Sequence, residues 1–471
     1  MITEKMNCKA KYTMLLFLAI ALWVNAGKAQ PLSMNDAVEK AVSNYGNIKA
    51  KKNYVVASYE RIEKAKRDYL PNFNLSAQQS YGTVNGQNGP AYGLGGLGVA
   101  SSGLPSAEQN WDASFGALYL ANINWEFFSF GRNKQRIELA RAEANQVNEE
   151  YQQEIFEHKV KVASAYLNLL ASQRLLISQQ KNLERAIAIK DNIAIRVKTG
   201  MLPGVDSTMA MAEVSRAKIT LNQALAETKA RNNDLAQLLG SEISSIELDS
   251  SFLFTGPFQI QQALNADDSI SHPARQYFKS RIDYSNQTAQ QYRKDYMPSF
   301  SIFGVYQTRA SGFSSDYATD RTSFTSDYFQ GINPTRQNYL FGVGVVWNLT
   351  SISRANRNIA SQKLITAGLE EEYKAIDLEL RSREDAANSR IAYALENYRE
   401  APNQVEAAQQ AYTQRLTLYN NGLTNLTDVI TTQYALNRAE TDADIIAVNL
   451  WQSLLMKAAA VGDFNLFIDQ F

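Results

Sequence analysis

The sequence predicts a mainly α-helical chain with a membrane β-barrel portion, built as an internal tandem duplication. Three observations predict it. Landmarks recur in the same order about 220 residues apart. Strand patterns with two unlike faces come in pairs. Each pair is followed by helical patterns far longer than the ~10–14 residues of an average globular helix.

The duplication shows first in "DYLPNFNLS" from Asp68 and "DYMPSFSIF" from Asp295, 227 residues later. "WEFFSFGRNKQRIELA" from Trp125 is answered by "WNLTSISRANRNIASQ" from Trp347, and "KTGMLPGVDSTMAMAEVSRA" from Lys198 by "NNGLTNLTDVITTQYALNRA" from Asn420, both at an offset of 222. Solenoid repeats have periods of about 20–50 residues. What is doubled here is a whole half-structure, 30–250 and 251–471.

Ahead of the first half, Lys5, Lys9 and Lys11 precede the apolar run Met14–Val24, and small residues Gly27 and Ala29 follow. This pattern predicts a signal peptide over 1–29. The run is shorter than the ~20 apolar residues of a transmembrane helix. Gln30 stands where a lipoprotein needs cysteine, and the single cysteine, Cys8, lies inside the leader. An exported chain without cysteine must be held by packing or assembly. Without residues 1–29, 43 basic side chains face 46 acidic ones, so no basic excess points to nucleic acid. If the chain crosses a membrane after its leader, it must use strands.

Each half opens with a helical stretch, Leu32–Arg67 in the first. A proline, Pro71 or Pro298, then ends it, because the residue before proline is pushed out of the α region. Phe73, Leu75, Ala77 and Tyr81 alternate with Asn74, Ser76, Gln78 and Ser80. Phe300, Ile302 and Tyr306 alternate with Ser299, Ser301 and Gln307, although Phe303 and Val305 blur the pattern. After a long loop, Phe115, Ala117, Tyr119, Ala121, Ile123 and Trp125 mark a second strand, as do Tyr339, Phe341, Val343, Val345 and Trp347. The expected strands are 72–82, 112–127, 299–309 and 338–349. A soluble sandwich with its apolar face inward gives the same alternation. Strands of about ten residues joined by one long loop favour a barrel with that face toward lipid.

From Asn133 to Thr199 there is neither proline nor glycine, enough for a helix of about 100 Å at ~1.5 Å per residue. Val160, Ala163, Leu167, Leu170 and Arg174, and Val214, Ala217, Leu221, Ala224 and Thr228, trace narrow coiled-coil seams. Gly200 and Gly422 are natural C-caps, and Asp206 and Asp428 are placed to N-cap the returning helices. The expected hairpins are 133–240 and 355–461. Four strands cannot close a barrel that needs about eight, so the strands must close between subunits.

The leader, the two similar halves, the strand–loop–strand units with long helical hairpins, and the two G-x5-D tips resemble the TolC family of outer-membrane efflux proteins. The resemblance implies a homotrimer with one twelve-stranded β-barrel in outer-membrane lipid and an α-barrel of helices in the periplasm of a Gram-negative bacterium. It implies a periplasmic adaptor and an inner-membrane transporter as partners, with export of small molecules or proteins through the duct. Its closed tip is held by polar links. Asp206 falls on the family's acidic position, Tyr419 on the tyrosine it links to, and Thr424 where the family has arginine. Asp428 matches the first constriction aspartate, and Thr431 stands at the second. Gly200, Gly204, Gly422 and Leu423 form the tips that meet the adaptor. Pro71 and Pro298 mark the barrel–tunnel junction, and Trp125 and Trp347 the membrane interface.

No enzyme and no cofactor is expected. His158 and His272 lie in different elements and make no metal pair. The run "GLGGLG" from Gly93 fits G-x-G-x-x-G but lacks the helix that presents amides to a phosphate. Two other readings are a general porin, which needs only strands, and a secreted coiled-coil scaffold, which needs no two-faced strands. Topology is testable, because a processed chain has no native cysteine. In intact cells, a membrane-impermeant thiol reagent should label Gly95→Cys in the 83–111 loop and spare Gly204→Cys at the first tip. The opposite labelling would reverse the orientation.

Overall fold

The computed structural model describes residues 31–86, 105–242, 245–253 and 272–471. The leader expected over 1–29 and the glycine run from Gly93 lie outside the described residues. In chain order the elements are α1 (Met34–Asn44), α2 (Gly46–Arg67), β1 (Asn72–Thr83), β2 (Ala113–Phe128), α3 (Arg132–Lys198), α4 (Gly204–Leu239), α5 (Pro273–Asp295), β3 (Ser299–Ser311), α6 (Tyr328–Ile332), β4 (Arg336–Val346), α7 (Ser351–Asn420), α8 (Leu426–Val461) and α9 (Asn465–Ile468). A 3-10 turn covers Ser251–Leu253. They form two compact units. One holds the described residues of Met1–Val55, Val147–Ser280 and Glu370–Phe471. The other holds Val56–Gln146 and Arg281–Leu369.

The second of these units carries one antiparallel sheet of order β1-β2-β3-β4. Register puts Phe73, Leu75, Ile123, Tyr306, Tyr339, Phe341 and Val343 on one face, and Asn72, Asn74, Ser76, Gln78, Asn122, Asn124, Gln307 and Asn338 on the other. The first face is largely exposed in the single chain, with Phe341 at 72%. The blurred pattern of β3 has a packing cause. A Cβ at Gly342 would lie 2.7 Å from the Phe303 ring and one at Gly344 would lie 3.5 Å away. Phe303 therefore lies over two glycines of β4 on the polar face, an aromatic filling the space they leave. Strand β4 spans 336–346 rather than 338–349, so Trp347 sits just beyond it. The connection from β3 to β4 is ordered by Asp327, which N-caps α6 through the Gln330 amide at 2.8 Å, and by a Phe313–Tyr317–Phe324 ring cluster.

The helical unit packs a core of Met34, Val38, Val162, Tyr166, Leu167, Leu170, Leu235, Leu239, Trp451, Leu454 and Phe467. The expected first helix is broken. Tyr45 adopts ψ 123° between α1 and α2, and its ring stacks on His158 at 4.0 Å. Leu32 lies outside the helix, bridged in parallel to Leu248. The buried Tyr166 hydroxyl donates to the Leu32 and Asp249 carbonyls at 2.7 and 3.0 Å, beside the Asp249 amide that bonds the Leu32 carbonyl at 3.1 Å.

Both seams are buried as their spacing requires. Ala163, Leu167, Leu170, Val214, Ala217 and Ala224 are covered, and the Thr228 hydroxyl donates to the Ser172 carbonyl at 3.1 Å. Polar partners zip α3 to α8. Arg174 holds Asp444 at 2.7 Å, Arg185 grips both oxygens of Glu440, and Gln433 donates to Asn182 at 3.2 Å. Such half-buried pairs roughly balance their desolvation, so their use is register. Among the described residues one helix, Leu426–Val461, is long and apolar enough to cross a membrane. More than half of that apolar window is buried in protein.

Both histidines are buried, and geometry makes His272 neutral. His158 Nε2 lies 3.0 Å from the Leu238 carbonyl. His272 accepts the Ala274 amide at Nδ1, which leaves Nε2–H to donate to the Ala459 carbonyl at 3.1 Å. Burial pushes both below the ordinary value of 6.5. An unfolded histidine takes up a proton that the buried ring resists, so stability is full above about pH 6.5 and falls as pH drops through that value toward the lowered one. The thermal midpoint should fall between pH 7 and pH 5, and His272→Gln should flatten the slope. An equally steep slope in that variant would assign it to other groups.

Candidate functional site

Both hairpin tips are built by the same local chemistry. Helix α3 ends at Gly200, φ +79°, with the Gly200 amide bonded to the Val197 carbonyl at 3.0 Å and the Met201 amide to Arg196 at 2.8 Å. Helix α7 ends at Gly422, φ +74°, with Gly422 bonded to Tyr419 at 3.0 Å and Leu423 to Leu418 at 2.9 Å. These are Schellman turns. No neighbour lies within 4 Å of a Cβ at either glycine, so the backbone's positive φ, not crowding, calls for glycine. Gly204 opens α4. Leu423, 72% exposed, and Met201 present apolar side chains beside the turns.

Above the turns lies a cluster of Ile193, Ala210, Tyr412, Tyr419, Leu426, Val429 and Leu436, drawn from all four helices α3, α4, α7 and α8. Tyr419 is 4% exposed, and its hydroxyl donates to Asp206 Oδ2 at 3.1 Å. The Arg196 guanidinium lies 5.6 Å from its ring. Burial, and then the Asp206 charge, push the phenol up to about 12. It therefore stays protonated and remains the donor at physiological pH.

Neither aspartate is a helix cap. Pro203 occupies the N-cap of α4 and makes no side-chain bond, while Asn425 caps α8 by accepting the Asp428 amide at 2.9 Å. Asp206 and Asp428 each sit within the first turn, where a carboxylate is favoured by the helix dipole and its oxygens are left for other partners. Asp428 accepts the Thr424 hydroxyl at 2.5 Å and lies 3.8 Å from Arg415. Thr431 is turned back on its own helix, donating to the Thr427 carbonyl at 2.9 Å.

Two contributors escaped the sequence reading. Arg415 brings a cation to Asp428 from within α7, although position 424 has lost one. Tyr434 donates to the buried Glu213, while Arg216 lies 4.9 Å from the Tyr434 ring and 3.2 Å from its hydroxyl. Burial and Glu213 push Tyr434 up to about 12. A signal for this second tyrosine–carboxylate link was present: Glu213 follows Asp206 by one heptad, on the same side of α4.

At the sheet unit, the repeated Asp-Tyr-x-Pro motif finds its meaning. Helix α2 ends at Arg67, and Pro71 has no N–H with which to prolong it. The Tyr69 carbonyl, in the turn that follows the helix, needs a partner of its own. The Trp125 indole N–H takes it at 2.9 Å, and the Tyr69 hydroxyl donates to the Phe127 carbonyl at 3.0 Å. In the second half Trp347 donates to the Tyr296 carbonyl at 3.0 Å, ahead of Pro298. The tryptophans are thus junction clamps, with an amphipathic ring suited to a membrane interface.

Residues 37–241 match the family model described as Outer membrane efflux protein. No curated protein sequence matches the chain. Among solved structures, the outer membrane protein VceC from Vibrio cholerae is 14% identical at a TM-score of 0.68, covering 91% of this chain and 96% of VceC. The Campylobacter jejuni CmeC outer membrane channel is 14% identical at 0.69, with 91% and 85% covered. The open state of the Neisseria gonorrhoeae MtrE outer membrane channel is 14% identical at 0.67, with 91% and 89% covered. Residues 37–241 thus resemble the outer membrane efflux protein family, and the helical hairpins and four strands have the fold of those channels.

The clamps can be tested one at a time. Trp125→Phe should cost about 0.5–1.5 kcal/mol, the net value of one hydrogen bond, seen as a lower denaturation midpoint by far-ultraviolet circular dichroism. Adding Trp347→Phe should cost a similar further amount, because the two clamps share no partner. No loss in the double variant would reduce both to surface packing.

Proposed function

We propose that this chain is an outer-membrane efflux channel of the TolC family and works as a homotrimer. Three four-stranded sheets close one twelve-stranded barrel in outer-membrane lipid, and the helical hairpins form the periplasmic tunnel. One observation carries the assembly: β1 and β4 pair on one side only, and their outer edges have no strand partner among the described residues. An open edge leaves amide and carbonyl groups that lipid cannot satisfy. Pairing β4 of one protomer with β1 of the next removes both edges at once. In this arrangement the face with Phe341 and Tyr339 meets lipid, and the polar face lines the lumen.

The duct exports small molecules or proteins from the periplasm, or directly from an inner-membrane transporter through a periplasmic adaptor. The exposed apolar residues at the tips, Met201 and Leu423, support adaptor docking beside Gly200, Gly204 and Gly422. A porin would have no use for the hairpins, and a secreted scaffold none for a sheet with an exposed aromatic face. No catalytic residue is assigned; the chain is a conduit.

The tip is the gate. Asp206–Tyr419 ties α4 to the end of α7, and Asp428 faces the entrance with its charge partly offset by Arg415. Hydrogen bonds of this kind contribute roughly 0.5–3 kcal/mol each, little enough for a partner protein to break. Native mass measurement in detergent should give three chains per particle, and a stable monomer in lipid would end the assembly reading. In planar bilayers, Asp206→Ala with Tyr419→Phe should raise single-channel conductance while the trimer persists. Asp428→Asn should weaken block by multivalent cations. Unchanged conductance and block in normally inserted variants would place the gate elsewhere.

A further inference from the structure

The short helix α6 packs on β2 and β3. Its side-chain contacts with the strands fall on one face. The Tyr328 ring meets Phe115 edge-on at 5.1 Å, and its hydroxyl donates to Gln79 Oε1 at 2.8 Å. The Tyr119 hydroxyl donates to the Ile332 carbonyl at 3.4 Å. Gly331 sits so close to the strand that a Cβ there would lie 2.6 Å from the Phe115 Cβ. Gln79, Phe115 and Tyr119 alternate in step with Leu75, Ala121 and Ile123. They belong to the apolar face, so α6 lies on the side proposed to meet lipid and not on the lumen side. Ala117 and Ala310, a cross-strand pair two residues along from Phe115, are only 7% exposed on that otherwise open face. Their small side chains leave room for the helix.

Helix α6 reads Tyr-Phe-Gln-Gly-Ile and carries no charge. Phe329 is 75% exposed, so packing on the sheet does not account for it. Height selects what meets this ring. Phe115 stands ten residues from the clamp Trp125 along β2. With ~3.3 Å per residue and a strand tilt near 40°, that is roughly 25 Å above the clamp, at the far edge of a ~25 Å apolar band. Water, headgroups and acyl chains meet at such an edge, and aromatic rings are favoured there. The polar Asp327 and Asn333 cap the two ends of the helix, as suits a segment at a wet boundary. Subunit contacts were proposed along the outer edges of β1 and β4. Helix α6 lies over β2 and β3, so its exposed ring is directed to lipid, not to a second copy of the chain.

We infer that α6 is a membrane anchor carried by the β3–β4 connection. Tyr328 and Phe329 rest in the outer leaflet, at the boundary between acyl chains and headgroups, and hold the barrel at one depth. The inference rests on the lipid-facing barrel proposed above, in which three such helices stand on the outside of one wall.

The test uses the processed channel in vesicles of phosphatidylcholine and phosphatidylglycerol, with one nitroxide spin label at Phe329→Cys, Leu75→Cys or Ala318→Cys. Leu75, paired with Ala121, lies on the apolar face near mid-band, and Ala318 is exposed in the connecting loop. Collisions with oxygen, which partitions into lipid, are compared with collisions with a water-soluble nickel chelate. The oxygen-to-nickel ratio at Phe329→Cys should exceed that at Ala318→Cys several-fold, without exceeding that at Leu75→Cys. A ratio equal to that of Ala318→Cys overturns the anchor. A label shielded from both reagents overturns it too, because protein then covers the helix. In either case a lipid-like ratio at Leu75→Cys leaves the channel reading standing. A water-like ratio at Leu75→Cys overturns the barrel and the anchor with it. If Phe329→Cys does not insert, Phe329→Trp decides. Acyl chains brominated near the headgroup should quench its added emission, and no added quenching overturns the inference.

Discussion

A backbone amide that leaves water must find a partner within the protein, and this chain is organised around that constraint. In a helix the partners are local, so α3 and α7 can run for dozens of residues with polar surfaces and narrow seams. In the sheet they lie across strands, and four strands leave two rows without them. The aromatic face of that sheet is exposed in the single chain rather than folded inward, in keeping with the proposed closure between subunits. The junction obeys the same rule on a smaller scale. In the turn between a proline-stopped helix and its strand, one carbonyl takes its donor from a tryptophan at the end of the returning strand.

The helical unit answers a different problem, how long helices keep register without a broad apolar face. Alanine-rich seams bring the backbones close, and partially covered pairs such as Arg174–Asp444 and Arg185–Glu440 allow one alignment among several. Toward the tip the character changes. The cluster around Tyr419 and Val429 is apolar, and its links are tyrosine hydroxyls on carboxylates beside one loose charge pair, Arg415–Asp428. Such links confer direction while contributing modest energy, a suitable property for the gate proposed at the tip.

Much of this was legible in the sequence because it depends on local rules. Proline ends a helix, glycine accepts positive φ, and alternation marks a strand. Pro71, Gly200, Gly422 and the four strands follow from them. What escaped depends on groups brought together from afar. Asp206 and Asp428 had the right chemistry for caps, but each helix begins two residues earlier, at Gly204 and Leu426. Tyr45 breaks the first helix because its ring has a partner in His158, over a hundred residues away. Phe303 read as noise until the glycines beneath it were located. Arg415 and Thr424 became partners of Asp428 only when the end of α7 was folded against the start of α8.

The junction clamps have a further implication. Tyr69 and Trp125 lie in one half of the chain, Tyr296 and Trp347 in the other, and neither pair borrows a group from its counterpart. Half a chain thus contains its own means of halting a helix, launching a strand and returning. In the sheet the contact between the halves is β2 against β3, an antiparallel pairing of the same kind that would join one protomer's β4 to the next protomer's β1. Cutting the polypeptide between the halves would change which strands belong to one molecule without changing which strands are neighbours. A ring of six half-length chains is therefore a coherent ancestor, and gene fusion would have tied its subunits in pairs, freeing the two copies to diverge at their tips.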